Sequence, residues 1–136
     1  MNFAPYLTFN NNCAEAMAFY ANLFNGEVTA IQTFGESALA ANLPPEMHKL
    51  VMHASLRISD QIIMASDDPS GNYVPPRGIQ VQIGFPDFTE AQRVFEALAL
   101  GGEIKMPFEK TFWTSDFGMV RDRFGIPWMV NCNDSD

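Results

Sequence analysis

The chain has 136 residues, which suits one ordinary domain or two fused half-domains, and at 47% hydrophobic and 18% charged it is too apolar for intrinsic disorder. Eight basic against sixteen acidic side chains leave a formal charge of −8, a field that repels nucleic-acid phosphates and anionic lipid, so no nucleic acid and no membrane is expected as a partner. No apolar run approaches the roughly 18 residues that span a bilayer.

Met1 to Phe9 lacks the basic head and apolar core of a secretory signal. Cys13 and Cys132 are too few and too far apart for a disulfide framework. A cytoplasmic location is the expectation.

Strand-like text runs from Phe3 to Phe9, and a helical segment follows from Cys13 to Phe24. Ala16, Phe19, Tyr20, Leu23 and Phe24 recur at helical spacing as its buried stripe. Asn12 reads as the N-cap with Glu15 three residues on, and Gly26 as the terminating glycine. A second strand covers Glu27 to Phe34, then Gly35 to Met47 is irregular around Pro44-Pro45. Lys49 to Ile58 and Gln61 to Ser66 are two more strands, turning at Ser59-Asp60.

The same order then returns. Ile79 to Phe85 is a strand, Asp87 to Leu100 an amphipathic helix closed by Gly101-Gly102, and Glu103 to Met106 opens another strand. Phe117 to Arg121 and Ile126 to Asn131 form the last pair. Letters repeat too: Glu15-Ala16 matches Glu90-Ala91, Tyr20 matches Phe95, and Leu23 matches Leu98. The fold class expected is therefore α+β. One domain, 1–136, is built from two βαβββ modules, 1–70 and 76–136, with the linker at 71–75 inside the Pro/Gly-rich Asp68 to Gly78. Each module covers one sheet face with its helix, and pairing buries the faces left free.

Paired βαβββ modules of this size resemble the vicinal oxygen chelate superfamily of glyoxalase I, bleomycin-resistance proteins and extradiol dioxygenases. Within it the chain is similar to the PhnB-like branch, labelled "3-demethylubiquinone 3-methyltransferase-like". Pro5-Tyr6-Leu7-Thr8-Phe9-Asn10, Met52-His53-Ala54-Ser55-Leu56, Thr111-Phe112-Trp113, Asp122-Arg123-Phe124-Gly125 and Trp128-Met129-Val130-Asn131-Cys132 carry the likeness. It implies two modules whose sheets curl into a half-barrel cavity, and a homodimer. The methyltransferase label does not transfer, because no glycine-rich turn follows a first strand; Asn25-Gly26 and Gly101-Gly102 follow helices.

Metal-dependent members of that superfamily hold a divalent cation with His, Gln or Glu side chains near the first and last strand of each module. Strand alternation allows those positions to be checked here. Tyr6, Met64, Gln80 and Met129 occupy them, a phenol, two thioethers and one amide. Two methionines read as packing, although thioethers suit soft Cu(I). No metal and no cofactor is expected.

The expected cavity floor is Tyr6, His53, Met64, Gln80, Gln82 and Met129, with Trp113 on a nearby loop. His53 is read either as a site group, base or donor, or as a half-buried imidazole bonded to a carbonyl. Trp113 is read as a lid over the cavity or as a contact with a partner subunit. His48 is expected to be solvated, Trp128 to be core and Asp67-Asp68-Pro69 to be a turn. Cys13 is read as packing like a small apolar residue; a helix dipole could lower its thiol pKa, but no resolving cysteine is nearby. The acidic tail Asn133 to Asp136 is expected to fray.

Metal-independent binding of a small molecule is the leading function. A metal-dependent vicinal-oxygen-chelate enzyme, of lyase or dioxygenase type, is the alternative. A scaffold or regulatory dimer without a ligand is the third.

Overall fold

The computed structural model describes residues 1–110 and 116–132, divided between two compact units, Met1–Val74 and Pro75–Asp136. In the first unit the order is β1 (Tyr6–Phe9), α1 (Cys13–Leu23), β2 (Glu27–Thr33), β3 (Val51–Ile58) and β4 (Gln61–Asp67). Three single 3₁₀ turns fill the stretch between β2 and β3. The second unit runs β5 (Val81–Phe85), α2 (Phe88–Ala99), β6 (Glu103–Glu109), β7 (Asp116–Arg121) and β8 (Pro127–Cys132).

Both sheets have the same topology, β1-β4-β3-β2 and β5-β8-β7-β6. In each, the first strand lies parallel to the last, and the other pairings are antiparallel. The α+β class with duplicated βαβββ order is therefore the observed one.

The repeated letters turn out to be core letters. Ala16, Tyr20 and Leu23 on α1, like Ala91, Phe95 and Leu98 on α2, are all buried. They meet Leu7, Phe9, Ala54, Leu56 and Ala65 in the first unit, and Val120, Trp128 and Val130 in the second, which are buried on the helix side of their sheets. Each large apolar side chain so buried contributes about 1.5–3 kcal/mol. Trp128 is core, as read from the sequence.

The helix-facing stripe of α1 differs from the expected one. Met17 is fully buried, whereas Phe19 and Phe24 are half-buried and lean on Tyr20 with ring centroids 5.8 and 6.3 Å away. Two strands also begin later than expected. Phe3 is 93% exposed before β1, and Ile79, expected to pack on α2, is 69% exposed before β5. Apolar letters extended both strands on paper, but no neighbouring strand pairs with those residues.

Helix ends show what periodicity misses. Asn12 makes no side-chain cap. Instead Asp67, 4% exposed at the end of β4, accepts hydrogen bonds from the amides of Cys13 and Val51, both at 2.9 Å. That carboxylate satisfies an orphan N–H at the positive end of α1. Its neighbour Asp68 does form the expected turn, accepting from the Ser70 amide at 2.8 Å. In α2 the capping residue is local, Asp87 accepting from the Glu90 amide.

The glycine pairs after the helices split two jobs. Asn25 and Gly101 take the left-handed conformation, at φ 54° and 76°. Gly26 and Gly102 are small for another reason: a Cβ would strike the carbonyl oxygens of Arg57 and Arg121, the former at 2.6 Å. Gly26 is thus not the left-handed terminator the sequence suggests.

Candidate functional site

On β1, Leu7 and Phe9 go to the core while Tyr6 and Thr8 lie on the face turned away from α1. Tyr6 is paired with Met64 on β4, and Met64 with Ser55 on β3, so the three form one row across the sheet. His53 is half-buried on the same face of β3, because Ala54 and Leu56 take the helix side. The Tyr6 hydroxyl lies 3.3 Å from His53 Nδ1, with the rings 6.0 Å apart. A hydrogen bond at Nδ1 orients the imidazole and decides which nitrogen stays available to a ligand. At Nδ1 the imidazole thus meets a tyrosine hydroxyl. Tyr6, His53 and Met64 are therefore brought together.

The second sheet repeats the arrangement with other chemistry. Gln82 pairs with Met129, and Gly84 with Asn131. The Gln82 side-chain amide donates to the Asn131 side-chain oxygen. The row continues outward, Met129 pairing with Met119 and Met119 with Met106. Register thus makes Gln82, rather than Gln80, the counterpart of Tyr6.

Gln80 precedes β5, outside the strand that was expected to hold it. It lines a cavity of about 290 Å³ with Lys105, Met119, Arg121, Pro127 and Trp128. Lys105 Nζ sits 2.8 Å from Glu103, and the Arg121 guanidinium donates to the carbonyls of Gly125 and Pro76 at 2.7 and 3.1 Å. Asn131, Met119 and Met106 were not singled out from sequence, since only cross-strand register puts them beside the chosen residues. Trp113 lies outside the described residues, as does the acidic tail.

Three sequence expectations change here. His48 is not simply solvated: its Nε2 lies 2.9 and 3.1 Å from the carbonyl oxygens of Ala40 and Leu43, tying the irregular stretch together. Cys13 is fully buried, as its apolar reading expects, and only the dipole alternative fails: burial, with the Asp67 carboxylate beside it, pushes its thiol up to about 12 rather than down. Asp67 is a helix cap, not an exposed turn residue.

A divalent cation does not fit the donors at the superfamily positions. Tyr6, Met64 and Met129, with Gln82 in place of the expected Gln80, offer a phenol, two soft sulfurs and an amide, whereas a hard ion needs charged oxygen or imidazole ligands. Among the described residues, no group of three His, Cys, Asp or Glu side chains is placed to hold a metal ion. None of their helices is long and apolar enough to cross a membrane.

Residues 1–131 match the family model described as 3-demethylubiquinone-9 3-methyltransferase. The chain belongs to that family. Its relatives include protein YjdN of Escherichia coli strain K12, 34% identical across 96% of this chain and 95% of that one. Protein PA1353 from Pseudomonas aeruginosa is a solved structure at 39% identity and TM-score 0.90, with 99% of each chain covered. A Bacillus cereus PhnB protein, described as a putative 3-demethylubiquinone-9 3-methyltransferase, is 25% identical at TM-score 0.84, covering 97% of this chain and 99% of that one. The likeness extends in fold alone to the fosfomycin resistance protein FosX of Listeria monocytogenes, at 13% identity and TM-score 0.66, covering 98% and 93%. In this family member, the Asp-Arg-Phe-Gly turn has a structural job. Asp122, 4% exposed, accepts from the amides of Phe124 and Ile126 and from Trp128 Nε1 at 2.9, 3.0 and 2.8 Å.

Proposed function

We propose that this family member binds a small molecule on the sheet faces turned away from its helices, without a divalent metal ion. One observation carries the reading. At matched positions each face sets a methionine beside an engaged polar pair, Met64 beside Tyr6–His53 and Met129 beside Gln82–Asn131. Thioethers adapt to ligand shape, and a few placed neutral donors fix its orientation, which suits a planar or weakly polar molecule. The charge of −8 favours a cationic ligand over an anionic one by long-range steering.

Sequestration needs only binding, so no reaction is assigned. Methyl transfer is not carried over from the family's name. The sheets are mixed rather than doubly wound and parallel, and the glycine pairs are accounted for by helix ends and the carbonyls of Arg57 and Arg121. The proposal includes a cytoplasmic homodimer, with Gln80 and Trp113 as further ligand contacts and neither nucleic acid nor membrane as partner.

Thermal-shift screening of a small-molecule library against untagged protein tests the reading. A true ligand at 100 times its Kd raises stability by about 2.7 kcal/mol. His53→Ala and Gln82→Ala should each weaken that ligand while leaving the unliganded melting temperature nearly unchanged. A stoichiometric divalent ion retained by untagged protein, and required for binding, would overturn the metal-independent claim.

A further inference from the structure

We propose that Met106, Met119 and Met129 together hold a soft monovalent cation of the Cu(I) class through three thioether sulfurs. Cross-strand pairing sets the three in one unbroken row, Met106 with Met119 on β6 and β7, and Met119 with Met129 on β7 and β8. Paired residues share a face, and neighbouring strands run about 4.8 Å apart, so the outer two methionines flank the central one at reach of a common point above it. A bulge after Ile104 on β6 puts Met106, rather than Lys105, opposite Met119.

All three side chains are half-buried, on the face away from α2, while the α2 side of the same strands is filled by Val120, Trp128 and Val130. A purely packing role would be served by stiffer Leu or Val, as on that side. Flexible, polarisable sulfur is instead the donor type that selects Cu(I).

The local charge permits a cation. Lys105 is neutralised by Glu103 at 2.8 Å, and Arg121 is drawn to the Gly125 and Pro76 carbonyls. The overall charge of −8 adds long-range attraction. Thioethers carry no proton, so binding releases none. Affinity should then be flat over about pH 5–7, where a histidine or thiolate site loses metal to protonation. The site goes beyond the small-molecule reading, sharing only Met129 with it, and involves no change of oxidation state.

The experiment uses untagged full-length protein carrying ¹³C-methyl methionine, titrated with Ag(I) as a redox-inert probe and, without oxygen, with Cu(I) against a chromogenic chelator. Three of the eight methionine methyl signals, those of Met106, Met119 and Met129, should move together and saturate at one equivalent. Met119→Leu should weaken binding at least about tenfold, since even the supporting partners of metal ligands are worth about 10–100-fold. Met106→Leu, on the edge strand, gives the same reading should Met119→Leu fold poorly. Movement of other methyl groups, wild-type affinity in both variants as expected of cysteine capture, or no saturable binding would each overturn the proposal. Those failures leave small-molecule binding through Tyr6, His53 and Gln82 untouched.

Discussion

Removing the Asp122 carboxylate is the sharpest test of how the second unit is held together. Asp122→Ala strips the partner from two backbone amides, Phe124 and Ile126, and from the indole N–H of a fully buried Trp128. Hydrogen bonds to a charged group contribute about 1.5–3 kcal/mol each, and unsatisfied buried donors cost about 1–3 kcal/mol. Three such donors bring the expected loss to about 4–9 kcal/mol, a large part of the roughly 5–15 kcal/mol of a typical domain.

Asp122→Asn keeps one acceptor oxygen. With that oxygen on the two backbone amides, its NH₂ faces the Trp128 N–H, donor against donor, for a loss of about 2 kcal/mol. Urea unfolding followed by far-UV circular dichroism measures both variants, with equal slopes confirming that stability alone changed. A cost below about 1 kcal/mol for Asp122→Ala, or equal costs for the two, would refute the claim that this carboxylate organises the turn and the core tryptophan.

Raising pH should destabilise the first unit through Cys13. Its thiol goes from 9.0 to about 12 on folding, so the neutral form's stabilisation is complete below pH 9 and is lost as pH rises towards 12, at about 1.4 kcal/mol per pH unit. Cys13→Ala should flatten that slope, and a thiol reagent at neutral pH should reach Cys13 only at the rate of unfolding. Gly26→Ala and Gly102→Ala should each cost about 1–3 kcal/mol because the obstacle is backbone, whereas Gly84→Ala, whose Cβ meets nothing nearer than 3.4 Å, should be neutral within about 0.5 kcal/mol by chemical denaturation. Tyr6→Phe should leave stability within about 0.5 kcal/mol while shifting the His53 ring nitrogens in ¹⁵N NMR, and an unmoved imidazole would discount the 3.3 Å contact.

Much of the site was legible because a strand has a period of two. The alternation of Tyr6 with Leu7, of His53 with Ala54 and of Met129 with Trp128 separates core from open face without coordinates. What alternation cannot give is the partner across the sheet. Gln80 and Gln82 share a parity, and Gln80 was read as the counterpart to Tyr6; the pairing of Gln82 with Met129 corrects that to Gln82. Asp67 shows the same limit. An aspartate before Asp-Pro looks like a turn from its neighbours, yet its oxygens serve Cys13 and Val51, 54 and 16 residues distant along the chain.

From the amino-acid order alone came the duplicated βαβββ plan, the repeated core letters of both helices and the resemblance to the PhnB-like branch, since all three rest on local periodicity and recurring letters. Tertiary structure alone decided which strands are neighbours and in what register. That choice made one row of three methionines, joined Tyr6 to His53 and Gln82 to Asn131, and set the buried Cys13 beside the Asp67 carboxylate. The reason is physical: hydrogen-bonded register, desolvation and long-range capping depend on which groups meet in space, and short-range sequence pattern carries almost none of that information.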